Sequence, residues 1–173
     1  MYEAECPDVP PHPTLVRLPR PIQLYVGRVA VEKNLEAFLS SDVSGSKVVI
    51  GDGPDLKRLK KLYPNACFPG ALTGIELASA YTAADVSVFP SRTDTFGLVI
   101  IQALACGLPV ATFPVPGPAD ILNDDLGAMD ECLSRAIEHA LAKDKLSCAA
   151  QAESYSWPAG ARQFEGALVA TRS

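Results

Sequence analysis

The fold class follows from PSRTDTFGLVIIQALACGLPVAT, residues 90–112. Its apolar run from Leu98 predicts a buried helix that stops at Gly107, and LPVATF after it predicts a buried strand. Two polar residues break this apolar pattern: Asp94 just before the helix and Gln102 within it. A buried amide without partners costs about 1–3 kcal/mol. Gln102 is therefore expected either to bond to neighbouring backbone or to reach a ligand.

Strand-like and helix-like segments alternate outward from this point. The predicted strands are IQLYVGR, SKVVIGDGP, ACFPG, DVSVFPS and LPVATF, and the predicted helices are EKNLEAFLSS, DLKRLKKLY, TGIELASAYTAA, FGLVIIQALACG, DECLSRAIEHALAK and PAGARQFEGALVA. Thr73 and Glu76 are spaced as a capping box at the start of the third helix. This alternation predicts an α/β fold, a Rossmann-like doubly wound parallel sheet with helices on both faces.

The two ends of the predicted domain differ in composition. Six of the fifteen prolines lie in the first 21 residues, and proline lacks the amide donor that regular elements need. We interpret residues 1–20 as a proline-rich tail or linker that marks where something once preceded the domain. Residues 21–173 are expected to form one Rossmann-like domain, a length that suits a single core.

Bulk charge and cysteine spacing exclude several classes of protein. The net charge of −5 argues against a nucleic-acid binder, because phosphate contacts need a basic field. The five cysteines have no C-x-x-C spacing, so we expect reduced thiols and no zinc site. The apolar run from Leu98 to Ala111 is too short and too broken for an integral membrane segment.

In doubly wound sheets, ligands bind outside the carboxyl ends of the strands. Gly27, Arg28 and Lys33 follow the first strand, where the two cations predict either an anion site or two solvated side chains. Gly51 and Gly53 follow the second strand, where they indicate either a plain turn or close approach of a ligand to the backbone.

The loop before the long apolar helix carries one carboxylate, for which the sequence allows two roles. Asp94 is either a helix-capping carboxylate or a ligand contact. The residues after it, Thr95, Phe96 and Gly97, are expected to leave unpaired N–H groups at the helix start, beside the predicted crevice.

Several segments together resemble the donor-binding, C-terminal half of a GT-B retaining glycosyltransferase (glycosyl transferases group 1, family 4). The resemblance is carried by YVGRVAVEKN, VVIGDGP, FPGALTGIELASAYTAADVSVFPSRTDTFGLVIIQALACGLPVAT and GPADIL. It implies one half of a GT-B fold that binds a nucleotide-diphosphate sugar as donor substrate and needs no metal or other cofactor. The implied base is left open among uridine, guanosine and adenosine.

The resemblance also implies a role for each matching position. Arg28 and Lys33 match the pair that neutralises the donor diphosphate, and Asp94 matches the acidic residue that contacts the donor sugar. The other implied donor contacts lie in the loops after the strands and on the long helix: Gly27, Gly51, Gly53, Gly70, Ala71, Leu72, Thr95, Phe96, Gly97, Leu98 and Gln102.

Two departures from the family pattern limit the expected activity. Asp94 and Gln102 stand where the family has glutamates, and the neutral Gln102 is expected to weaken donor binding because charge-assisted bonds are the stronger ones. The acceptor-binding N-terminal domain that the resemblance implies is expected to be missing from this chain, and neither His12 nor His139 matches its catalytic histidine. The chain alone is therefore expected to bind its donor but hardly to turn it over.

Three alternatives stay open at this point. The chain could be a non-catalytic nucleotide-sugar-binding module, a fragment of a GT-B sugar-nucleotide epimerase, or an unrelated Rossmann-like NAD binder. The NAD binder is disfavoured because G-x-G-x-x-G is missing. The expected location is the cytoplasm, with peripheral membrane contact through the missing half as the alternative.

Overall fold

The structure, a computed structural model, describes residues 9–93, 98–145 and 148. Six parallel strands form one sheet in the order β3-β2-β1-β4-β5-β6. The strands are β1 Ile22–Val26, β2 Ser46–Ile50, β3 Cys67–Gly70, β4 Val86–Phe89, β5 Val110–Thr112 and β6 Gly127–Met129. The helices are α1 Leu35–Leu39, α2 Leu56–Leu62, α3 Gly74–Ala83, α4 Leu98–Ala105, α5 Pro118–Ile121 and α6 Leu133–Leu141. Short 3₁₀ turns cover Leu15–Arg17 and Val31–Lys33.

Two hydrophobic cores lie on opposite faces of this sheet, because successive residues of each strand point to opposite sides. Leu24 of β1 packs in the core that α3 and α4 cover. Its neighbour Tyr25 packs in the core that α1, α2 and α6 cover. The predicted fold class, a Rossmann-like parallel sheet with helices on both faces, is confirmed.

Pairing between β1 and β4 is much shorter than pairing between β1 and β2. Five residues of β1 pair with β2, from Ile22 through Val26, but only Gln23 and Leu24 pair with β4. Strand order reverses between β1 and β4, and such a switch point is where open α/β sheets leave room for a ligand. The sheet is thus open at the carboxyl ends of these two strands.

All five predicted strands are present, but the sequence analysis missed β6, whose Gly127 lies against the Val110 carbonyl. The predicted stop of α4 at Gly107 is confirmed, with Gly107 at φ 69°. The Gly107 amide donates to Leu104 and the Leu108 amide to Ala103, the pattern of a Schellman motif. The capping box is wrong: Thr73 is the N-cap residue of α3, but its side chain makes no capping hydrogen bond.

Part of the proline-rich segment packs on the domain. Leu15 is fully buried in the core beside α3 and α4, and the His12 amide donates to the Ser79 carbonyl at 2.9 Å. The division of the chain at residue 20 stays a prediction. The closing helix PAGARQFEGALVA lies outside the described residues.

The cysteines depart from expectation at one position. Cys106 is disulfide-bonded, so the expectation of reduced thiols is wrong for this residue. Cys67, Cys132 and Cys148 are free thiols. Within the described part of the chain, no helix is long and apolar enough to cross a bilayer.

Candidate functional site

The loops that follow β1, β2 and β3 are joined by backbone hydrogen bonds beyond the strand ends. The Gly27 amide donates to Ile50 at 3.0 Å, and the Gly51 amide donates to Gly70 at 2.9 Å. Farther out, the Val29 amide donates to Asp52 at 2.9 Å. These bonds make one continuous main-chain wall at the carboxyl edge of the sheet.

Close approach of the backbones explains two of the glycines. A Cβ on Gly51 would lie 1.9 Å from the Gly27 oxygen, and one on Gly53 would lie 2.2 Å from the Val29 oxygen. Their φ values of 142° and 159° also disfavour side chains. Contact between the loops therefore requires both glycines, whether or not a ligand also approaches them.

Gly70 differs from these two glycines. Its φ is 97°, but nothing lies within 4 Å of the position that a Cβ would take. The next residue, Ala71, is exposed, while Leu72 is half-buried and packs against the core beside α3. This loop therefore presents main chain to open space, as backbone recognition of a ligand requires.

The loop after β1 holds the two cations proposed from the sequence. The Arg28 side chain is 65% exposed, and its Nη1 lies 3.7 Å from Glu32 Oε1, a weak pairing at the surface. The buried Tyr25 hydroxyl donates to the Arg28 carbonyl at 2.8 Å and so supports this loop from below. Lys33 is half-buried at the end of the 3₁₀ turn.

Helix dipoles contribute little to anion binding at the loop after β1. Lys33 lies in a three-residue 3₁₀ turn, and α1 after it has only five residues. The summed dipole of such short segments is small. Attraction of an anion to this loop would therefore have to come mainly from the Arg28 and Lys33 side chains.

The loop after β4 forms the opposite wall of the opening. Pro90 and Ser91 are buried. The guanidinium of Arg92 lies 3.8 Å from the centre of the Phe113 ring, and both of its Nη atoms lie 3.1 Å from Glu131 Oε2. Arg92 thus fastens this loop to the segments that follow β5 and β6.

The remaining proposed contacts fall on α4 or just before it. Asp94, Thr95, Phe96 and Gly97 lie outside the described residues. At the start of α4, Leu98 is 57% exposed. Gln102 is half-buried, and its amide makes no hydrogen bond with the rest of the described chain. Of the two alternatives for Gln102, bonding of the side chain to neighbouring backbone is therefore not seen among residues 9–93, 98–145 and 148.

Sequence reasoning missed a residue that connects the two walls. Asn34 has φ 55°, and its Nδ2 donates to the Pro90 carbonyl at 3.1 Å. Asparagine tolerates this left-handed conformation better than most residues, which is the signal that could have marked it. With this bond, all four loops after β1 to β4 are connected at one edge.

An ion cluster lies next to this edge, around a cavity of about 240 Å³. Arg58 binds both carboxylate oxygens of Asp55, at 2.5 and 2.7 Å, and also pairs with Glu36. The hydrogen bonds from Arg58 hold the pKa of Asp55 below its ordinary value. Among residues 9–93, 98–145 and 148, this cluster included, no three His, Cys, Asp or Glu side chains are grouped as metal ligands.

The parallel sheet, its strand order and the loops at the switch point define the class of Rossmann-like doubly wound α/β folds. A family model described as Glycosyl transferases group 1 matches residues 20–147, and the chain belongs to this family. It is 34% identical over 165 residues to a GDP-mannose-dependent alpha-mannosyltransferase of Mycobacterium tuberculosis, covering 88% of this chain and 44% of that protein.

Solved GT-B glycosyltransferases share the fold. Sucrose-phosphate synthase from Thermosynechococcus elongatus superposes with a TM-score of 0.73 at 24% identity, covering 94% of this chain and 50% of that one. Anabaena HepE in complex with UDP superposes with a TM-score of 0.65 at 16% identity, covering 87% of this chain and 49% of that one. The chain spans less than half the length of the curated relatives it matches.

Proposed function

We propose that this chain is the donor-binding part of a retaining glycosyltransferase that moves a sugar from a nucleotide-diphosphate sugar to an acceptor. One observation carries the proposal: four loops meet at the switch point of the sheet, and Arg28 on one of them is largely exposed. A cation whose only described pairing is weak, beside exposed main chain, suits a diphosphate ligand.

The donor would lie along the carboxyl edge of the sheet. Arg28 and Lys33 would hold the diphosphate without a metal ion, and the backbone of residues 70–72 would contact the base. Asp94 and the N–H groups of residues 95–98 would hold the sugar, and Gln102 would accept from the ribose hydroxyls. The relatives leave the base open, because one is named for GDP-mannose and a fold neighbour was solved with UDP.

Chemistry at this site would depend on electrostatics. The departing diphosphate gains negative charge as the glycosidic bond breaks, and cations already in place stabilise that charge without reorganising. The acceptor would then attack from the face that the diphosphate leaves. Such a step needs no nucleophilic side chain from this chain.

Turnover would require an acceptor-binding domain in addition. Neither described histidine is placed at the crevice: His12 Nδ1 accepts from the Thr14 amide near α3, and His139 is exposed on α6. Together with the chain's length relative to its relatives, this supports an N-terminal acceptor-binding domain or its equivalent as partner. Without that partner the chain would bind the donor and hardly turn it over.

Calorimetric titration with UDP, GDP and ADP tests the proposal. We expect one nucleotide to bind, EDTA to leave its affinity unchanged, and Arg28→Ala to weaken binding about tenfold or more, the loss of one charge-assisted contact. Lys61→Ala is the matched control, since it removes an exposed cation from the last turn of α2. Absence of nucleotide binding, or equal losses in the two variants, would contradict the proposal.

A further inference from the structure

The opening between β1 and β4 is bridged by one side chain. Pairing between the two strands ends at Leu24, so Tyr25 and Val26 have no partner in β4. Beyond that point, the Asn34 amide reaches across and donates to Pro90 at 3.1 Å. A carbonyl oxygen can only accept, which assigns the nitrogen of the amide to this contact.

The Asn34 side chain does not make the hydrogen bond that an asparagine at this position of a helix usually makes. It is the N-cap residue of α1, and N-cap asparagines commonly accept from the first amides of their own helix. No such capping bond is present here. The side chain instead contacts a residue 56 positions away, so its role concerns the spacing of two loops.

The loop that Asn34 contacts is fixed from its other side as well. Ser91 is 1% exposed, directly after Pro90. Arg92 stacks on Phe113 and pairs with Glu131. Because this loop is held from its other side, the bond from Asn34 fixes the distance between the loop after β1 and the loop after β4. A bond to an unsupported loop would not fix that distance.

We infer that Asn34 is a positioning residue that sets the spacing between the wall carrying Arg28 and Lys33 and the wall formed by residues 90–93. The inference rests on the proposed function. The nucleoside diphosphate would contact the first wall, whereas the sugar of the donor would extend to the second. Loss of the Asn34 bond should therefore affect a sugar nucleotide more than the nucleotide alone.

Two substitutions separate the bond from the backbone conformation. Asn34→Gly keeps the left-handed conformation at low cost and removes the amide. Asn34→Asp keeps the size and tolerates the same φ but cannot donate to Pro90. Asn123→Gly is the control, because it removes an asparagine side chain that accepts from the Leu126 amide just before β6, at the opposite edge of the sheet.

The experiment is calorimetric titration with GDP and GDP-mannose, UDP and UDP-glucose, or ADP and ADP-glucose, using the pair that the wild-type chain binds. For Asn34→Gly we expect about fivefold weaker binding of the sugar nucleotide and less than twofold change for the nucleotide, the range of one hydrogen bond. Asn34→Asp adds a carboxylate beside Lys33, so it should weaken binding of both ligands, with the larger loss for the sugar nucleotide. Asn123→Gly should change neither affinity.

The outcomes distinguish this inference from the proposed function. If the wild-type chain binds no nucleotide, the proposed function fails and the inference fails with it. If the wild type binds and Arg28→Ala weakens binding, but both Asn34 variants lose equally for the two ligands or lose nothing, only the inference is overturned. Circular dichroism of each variant identifies loss of folding, and should Asn34→Gly not fold, Asn34→Asp decides the question.

Discussion

At the amino edge of the sheet, charged side chains hold the structure together, whereas at the carboxyl edge most of the support comes from the main chain. Asp85 accepts from the Ile22 amide at 2.7 Å and pairs with Arg20 and Lys145. Across the sheet, backbone amides join the loops, and Arg28 stays exposed. The comparison suggests that a wall built from main chain leaves its side chains available for a ligand.

The strongest test of this comparison is Gly51→Ala. The new Cβ would lie 1.9 Å from the Gly27 backbone oxygen. Neither atom can move away unless the main chain of its loop moves as well. Strain and displacement of the loop should lower the free energy of unfolding by about 3–4 kcal/mol, as measured by urea denaturation.

Gly70→Ala is the matched control for that experiment. Its φ is also positive, but no atom lies within 4 Å of the added Cβ. We expect a loss of about 1–2 kcal/mol from conformation alone. Equal losses for the two variants would mean that loop contact does not support the carboxyl edge.

At the amino edge, Asp85→Ala should reduce stability and spare binding. It leaves the Ile22 amide without its acceptor and removes two ion pairs, for an expected loss of about 2–3 kcal/mol in the free energy of unfolding.

Arg28→Ala should show the reverse pattern: weaker nucleotide binding with a stability change within about 0.5 kcal/mol. A fall in nucleotide affinity for folded Asp85→Ala would contradict the separation of the two edges.

The smallest expected effect concerns Asp55, an exception at the carboxyl edge because its carboxylate is committed to Arg58. Hydrogen bonds from Arg58 lower the pKa of Asp55 in the folded chain. The pair therefore stabilises the fold fully above the ordinary aspartate pKa of about 3.9. This contribution is lost as the pH falls below that value and through the lower pKa of the folded state.

Urea midpoints of wild type and Asp55→Asn between pH 7 and pH 3 measure this contribution. The wild type should be the more stable at pH 7, and the difference should shrink below about pH 4. Asp124→Asn, in an exposed turn before β6, controls for the loss of one carboxylate. A difference that stays constant down to pH 3 would show that the pair with Arg58 does not stabilise the fold.

Local patterns in the sequence were enough to predict most of the fold. Apolar runs marked five strands, three of them ended by glycine, since a strand buried on both faces needs such a run. The sixth strand, Gly127–Met129, has three residues and no β-branched one, so pairing with β5 defines it and local preference does not. The capping box failed for a similar reason, because spacing alone does not fix where the Thr73 hydroxyl points.

The sequence was enough to locate the loops of the candidate site, but not the contacts that support them. The rule for strand ends located the loops that carry Arg28, Gly51 and Gly70. It could not show that Gly51 faces the Gly27 carbonyl, because that contact depends on how two loops pack. The bond from Asn34 to Pro90 joins residues 56 positions apart, and no local pattern contains such information.

The backbone bonds between the loops after β1, β2 and β3 have a practical consequence for altering specificity. Asp52 and Ala71 are exposed positions next to residues that these bonds hold. The Ala71 side chain can vary while Gly51 and Gly70 keep the main chain in place, whereas Asp52 Oδ1 accepts from the Gly53 amide at 2.7 Å and should be kept. A library randomised at position 71 would change the surface that this edge offers to a ligand without removing the scaffold beneath it.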